Sequence, residues 1–250
     1  MRKTFIAALA AGVMATAGSV MLAGPAQAES VPVFSVPYSS TLYVLGEGTI
    51  EALSYEDWQA AGFPAPTLAP NTEYGSYPWS PVIYAVTPFA DDALINALTP
   101  DEWARAGWPA PQVTAQIPGT IVAKFASSDE LFAANVQSPD VHKLTFAEWG
   151  QLGYLAPEFL NDQGFYQLAW VDVPGIAYQD LQEGSAVEIS FEAWAAYDYP
   201  TPAKVNRIYG DQFLLQGNGD IVYDGPTLAD YTLSYAEWQA AGFPTPVAPS

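Results

Sequence analysis

A short run of the chain opens on an apolar residue, passes through a hydroxyl and an acid to tryptophan, and closes on Gly-aromatic-Pro. This run occurs five times, with Leu155 for that proline in the third copy and Asp198 for the glycine in the fourth. Leu53 to Pro66 returns as Leu98 to Pro111, Leu144 to Pro157, Ile189 to Pro202 and Leu233 to Pro246. Its tryptophans, Trp58, Trp103, Trp149, Trp194 and Trp238, are separated by 45, 46, 45 and 44 residues. A fixed period of this length marks tandem structural units. Between the markers, apolar and polar residues alternate in short runs bounded by Gly, Pro, Asn and Asp, which is how strands read. The third copy offers Thr120 to Ala126, Glu130 to Ala134 and Val141 to Leu144. The fifth offers Val205 to Tyr209, Gln212 to Leu215 and Asp220 to Tyr223. An aliphatic-aromatic step recurs at Leu42-Tyr43, Ile83-Tyr84, Leu131-Phe132 and Val222-Tyr223. The pattern predicts a mainly β chain with short helices, in five tandem repeats of about three short strands plus a two-turn helix each.

Each marker specifies both ends of its helix. Ser54, Thr99, Thr145, Ser190 and Ser234 stand where an N-cap hydroxyl meets a free backbone N–H. Three residues on, Asp57, Glu102, Glu148 and Glu237 complete a predicted capping box in four copies, with Ala193 the exception. The apolar residue before each cap and the tryptophan at the fourth helical position form a hydrophobic staple, which assigns the tryptophans a structural place in the core. Gly62, Gly107, Gly153 and Gly242 suit a left-handed C-terminal residue, and Asp198 replaces them in the fourth copy. An aromatic residue follows, Phe63, Trp108, Tyr154, Tyr199 or Phe243, able to fold back on the last turn. Proline then stops the helix.

So small a unit cannot bury its own apolar face, so the copies must stack. The reading divides residues 29–250, as one domain, into repeats 29–66, 67–111, 112–157, 158–202 and 203–246. The first and last markers agree at 11 of 14 positions, which favours a propeller-like ring over an open array.

The N-terminus changes the setting. Arg2 and Lys3 precede an apolar stretch from Phe5 to Leu22, and Ala26-Gln27-Ala28 offers a small-x-small cleavage site. Residues 1–28 therefore read as a secretory signal peptide cut after Ala28. The marker, Leu-Ser/Thr-x-x-Glu-Trp-x-x-x-Gly-aromatic-Pro-x-Pro, resembles tandem repeats in functionally uncharacterised secreted proteins of actinobacteria. The resemblance implies an extracellular or cell-wall-associated setting and transfers no catalytic residue. There is no cysteine, so packing alone must hold the exported fold. With Arg2 and Lys3 removed, five of the seven basic residues face 27 acidic ones. Nucleic acid and other polyanions are thereby disfavoured as partners, and the mature chain carries no further membrane segment.

The candidate chemistry is sparse. His142 is the one histidine, no Gly-x-Ser-x-Gly elbow is present, and the marker acids are accounted for as caps. No catalytic residue and no metal ligand is assigned. Calcium is conceivable at Asp91-Asp92 and at Asn218-Gly219-Asp220 to Asp224, although neither has the spacing of a known calcium loop. The aromatics that the marker does not demand are Tyr74, Tyr77 and Trp79 in the second copy and Tyr166, Trp170 and Tyr178 in the fourth, the latter near Asp172 and Asp180. Aromatic faces beside carboxylates suit neutral sugars, so these residues are the candidate ligand site. The favoured expectation is a secreted, non-catalytic binder of a neutral glycan or other cell-surface ligand. The alternatives are a secreted hydrolase acting on polysaccharide and a structural or protein-partner surface protein.

Overall fold

The computed structural model describes residues 32–46, 49–89, 92–172 and 174–248. Residues 1–28, read above as a signal peptide, and the cleavage expected after Ala28 lie outside the described residues, as does Asp91. The fold is mainly β with five short helices, and four-stranded sheets are repeated in tandem.

The first copy runs β1 (Val33–Ser35), β2 (Leu42–Leu45), β3 (Ile50–Leu53), α1 (Tyr55–Ala60) and β4 (Thr67–Leu68). The second runs β5 (Glu73–Ser76), β6 (Ile83–Phe89), β7 (Asp92–Ala97), α2 (Pro100–Arg105) and β8 (Gln112–Val113). The third runs β9 (Thr120–Phe125), β10 (Phe132–Asn135), β11 (Val141–Lys143), α3 (Phe146–Gln151) and β12 (Glu158–Leu160). The fourth has β13 (Gln163–Leu168), β14 (Ala177–Asp180), β15 (Ser185–Glu188), α4 (Phe191–Ala196) and β16 (Ala203–Val205). The fifth has β17 (Gln212–Leu215), β18 (Ile221–Gly225), β19 (Leu228–Thr232) and α5 (Tyr235–Ala240).

The strand order in the first sheet is β3-β2-β1-β4, and the next three sheets repeat it. Three strands form an antiparallel meander, then the helix carries the chain back across the sheet to a fourth strand parallel to the first. The expectation of three strands is thus corrected to four. The missed strand follows the Pro-x-Pro segment, which ends the helix and delivers the chain beside the opening strand. In the fourth copy, Ala203–Val205 pairs with Tyr166–Leu168. Val205 therefore closes the fourth sheet instead of opening the fifth, and Val205 to Tyr209 is not one strand. In the fifth copy the fourth strand shrinks to one parallel bridge, Leu214 to Val247.

The helix ends follow the sequence closely. All five N-cap hydroxyls accept from the backbone N–H three residues on. The full capping box forms in three helices, α2, α3 and α5, and not in α1. Asp57 is one methylene shorter than glutamate, and its carboxylate takes the Ser54 hydroxyl at 2.6 Å instead of the Ser54 backbone N–H. At the C-termini, Gly62 N–H bonds Gln59 O and Phe63 N–H bonds Trp58 O, the two bonds of a Schellman motif. The glycine and the aromatic after it are both left-handed: φ is +79° at Gly62 and +56° at Phe63.

The chain packs as two compact units. One ends at Thr120 and takes in residues 135–139; the other holds residues 121–134 and everything from Asp140 onward. The first unit centres on Val36, Tyr38, Tyr43, Ala85 and Phe89, with a second cluster at Tyr77, Tyr84 and Ile117. The second unit centres on Leu168, Trp170, Ile208, Phe213 and Tyr223. In the same unit, Phe125 packs edge-on against Phe132, Phe165 and Tyr197.

Candidate functional site

The residues singled out for ligand binding divide between the units, and most are interior. In the first unit, Tyr77 is buried. It bonds Thr120 Oγ1, accepts from Asn135 Nδ2 at 3.0 Å and stacks on half-buried Trp79 at 5.1 Å. Tyr74 is half-buried against the neighbouring cluster. In the second unit, Trp170 is buried, packs edge-on against Tyr223 and donates Nε1–H to Asn206 O at 3.1 Å. Tyr166 packs into the same cluster. Tyr178 is buried elsewhere in the unit; it stacks on Tyr197 and donates to Gln163 Oε1 at 2.9 Å. Asp180 is buried, accepting from Gln163 Nε2 and from the backbone N–H groups of Gln182 and Glu183. Of the set, Asp172 alone is exposed. Burial pushes the Tyr77 hydroxyl above the ordinary phenol range and the Tyr178 hydroxyl well above it, as befits core groups.

The marker helices present something different. No residue of α1 to α5 is buried, and each marker tryptophan is half-buried. Every indole donates Nε1–H to the carbonyl six residues on: Trp58 to Pro64, Trp103 to Pro109, Trp149 to Leu155, Trp194 to Pro200 and Trp238 to Pro244, at 2.9–3.0 Å. That bond fixes the turn out of the helix. The left-handed aromatic then packs edge-on against the indole, with ring centroids 5.0 Å apart in the first copy and 4.7 Å in the second. Four copies add an aromatic at the first helical position: Tyr55, Phe146, Phe191 and Tyr235. These rings pack 6.1–6.5 Å from the indole and 5.7–5.9 Å from the post-glycine ring. The second copy has Pro100 there, and its rings are the Trp103–Trp108 pair alone.

In the other four copies the result is a triad of rings around one half-buried tryptophan, with its outer members facing solvent. The first-position rings keep between 64 and 72% of their surface exposed. An aromatic ring is costly to leave in water. A left-handed backbone costs a non-glycine residue about 1 kcal/mol or more. Both departures recur at the same place in the repeat. The signal in the sequence was the spacing i, i+3, i+8 of aromatic, Trp and aromatic, which the capping pattern overshadows.

Acidic groups accompany the triads. Glu56 and Asp57, Asp101 and Glu102, Glu148, Glu192 and Glu237 stand in the first helical turns. The Tyr231 hydroxyl, donating at 2.6 Å, holds Glu237 below the usual carboxylate range, aided by Ser234. Burial pushes Glu148 up, but the Thr145 N–H and hydroxyl and the nearby His142 outweigh it, and Glu148 ends below that range. His142 lies between two carboxylates, Nε2 3.2 Å from Glu148 and Nδ1 3.4 Å from Asp198. Asp220 and Asn218 bond each other, at 2.7 and 3.0 Å. Among the described residues, no three His, Cys, Asp or Glu side chains gather as metal ligands would. Among the same residues no helix is long and apolar enough to cross a membrane.

No known protein family, curated protein or solved structure matches the chain.

Proposed function

We propose that this protein is a secreted, non-catalytic repeat protein that binds a neutral glycan through its marker helices. The observation that carries the reading is the solvent-facing ring triad built around four of the five marker tryptophans, with the Trp103–Trp108 pair in the remaining copy. Flat rings held rigidly in water suit the apolar faces of sugar rings, and rigidity removes the cost of ordering them on binding. The charge balance argues for a neutral ligand, since the acids beside each triad repel phosphate, sulfate and carboxylate polymers. Five copies give avidity on a polymer whose repeat presents many equivalent faces. The marker carboxylates serve caps and buried Asp180 and Asp211 serve turns, which supports binding over hydrolysis.

The test is retention of full-length secreted protein on insoluble chitin, cellulose and peptidoglycan, with and without calcium. Replacing Tyr55, Phe146, Phe191 and Tyr235 together by Ala should reduce retention about tenfold or more while circular dichroism is unchanged. Equal retention of wild type and variant, or none by either, overturns the reading. Crosslinking on cells that captures a polypeptide instead would point to a protein partner.

The same proposal takes the repeats as a propeller-like closed set, on the likeness of the first and last markers. Small-angle X-ray scattering distinguishes a ring from an extended row.

A further inference from the structure

The second unit holds a cleft of about 390 Å³ between parts of the fourth and fifth copies. That is within the size range of small-ligand sites. One wall is Tyr209, 48% exposed, on the loop between β16 and β17. The loop is fixed from beneath. Asp211, itself buried, accepts from Arg207 Nε at 2.7 Å and from Ile208 N–H at 2.9 Å. Arg207 Nη2 also reaches Asp211 O at 3.1 Å, and its guanidinium lies 4.9 Å from the Phe213 ring centroid. The Tyr209 N–H donates to Gln179 Oε1 at 3.0 Å. Tyr209 is therefore a ring mounted on a pinned loop, in place before any ligand arrives.

Facing it are Gln212 on β17 and Asp224 on β18, cross-strand partners whose side chains share one face of the sheet. Both are exposed, and among the described residues neither side chain takes part in a hydrogen bond. Ser185 completes the polar lining. Gly184 and Gly210, both left-handed, and Gly225 leave backbone open to the cleft. The stretch Asp224-Gly225-Pro226 is flanked by buried Tyr223 and by Thr227, whose buried hydroxyl has no hydrogen-bond partner among the described residues. The Tyr223 hydroxyl lies 2.3 Å from where a Cβ on Gly225 would stand, so only glycine fits there.

We propose that this cleft is a discrete subsite for one neutral pyranose ring, resting on the glycan-binding reading above. Tyr209 stacks on the apolar face of the sugar, Asp224 accepts from its hydroxyls, and Gln212 both donates and accepts. A carboxylate beside a phenol ring disfavours anions, and the uncharged Gln212 and Ser185, which donate as well as accept, match a hydroxylated neutral ligand better than a cation.

The experiment titrates the full chain with glucose, N-acetylglucosamine and their soluble oligomers, by calorimetry and by NMR shifts. Saturable binding to wild type is expected. Tyr209→Ala and Asp224→Asn should each weaken it about tenfold with unchanged unfolding midpoints, and Tyr209→Phe should retain most of it. Variants that bind as tightly as wild type overturn the subsite, as does a wild type that binds no neutral sugar or binds only protonated amines such as putrescine. If insoluble glycan still retains wild type, Tyr209→Ala and Asp224→Asn alike but releases the four-fold helix variant, the subsite fails and the helix-face reading stands. If no glycan of either kind is bound, both fail.

Discussion

Asp198 stands where the other four copies carry glycine, in a left-handed conformation with φ at +55°. Its carboxylate explains the exchange. Oδ2 accepts from the Lys143 N–H at 2.7 Å and lies 3.4 Å from His142 Nδ1. Lys143 is on β11, the exposed edge of the third sheet, so the fourth copy's helix end occupies a free strand-edge donor. Beside it, Lys143 Nζ reaches Tyr199 O at 2.6 Å, and Glu130 takes the Thr201 N–H and hydroxyl, both at 2.7 Å. The rule-breaking of the fourth copy is therefore a clamp between neighbours. Asp198→Gly relieves about 1 kcal/mol of backbone strain but removes a charge-assisted bond worth about 1.5–3 kcal/mol. The bond should win, and urea unfolding should show the variant less stable by about 1 kcal/mol. A more stable variant would mean the clamp contributes nothing.

At the scale of elements, each helix is six residues long, too short to persist alone, and is held by its ends. The first helix has an incomplete box because aspartate stands at the third position. Asp57→Glu should let the carboxylate reach the Ser54 N–H and raise stability by a few tenths of a kcal/mol, to about 0.5. The opposite change in the fifth copy, Glu237→Asp, should lower it by a similar amount, because it also lengthens the reach to Tyr231. Thermal unfolding of both variants checks the pair; the same sign for both would contradict the capping argument. The helix ends were legible in the sequence because capping is local chemistry. The fourth strand of each sheet was not. Thr67–Leu68 and Gln112–Val113 are two residues long and exposed on both, so no alternation announces them.

For the whole molecule, stability should fall at both ends of the pH scale. Glu130 is raised by burial but pulled lower still by Thr201 and Lys143, and Glu148 and Glu237 are likewise depressed. A carboxylate depressed in the folded state stabilises it above the unfolded value, near pH 4.4 in round terms (~4.3–4.5), and that contribution is lost as pH falls through the folded value. Burial raises the hydroxyls of Tyr38 and Tyr178, and Tyr197 is pushed up to about 12. Their contribution is complete below the unfolded value of about 10 and is lost as pH rises through the folded one. The melting temperature should therefore hold level from about pH 5 to pH 9 and decline outside that window. A profile still rising below about pH 4 would show that acidic self-repulsion outweighs these bonds.

The markers alone determined the period, the five helices with their caps, and the left-handed turn after each, since all of these depend on residues within one or two turns of each other. Which faces of the strands are covered depends on neighbours tens of residues away. Tyr178 and Trp170 look free along the chain, yet Tyr197 and Phe165 cover the first, while Tyr223 and Phe213 cover the second. Tertiary packing likewise decided that the rings flanking the half-buried tryptophans stay exposed. It also mounted Tyr209 opposite Asp224, because only the pinned loop and the paired strands bring residues so placed into one cleft.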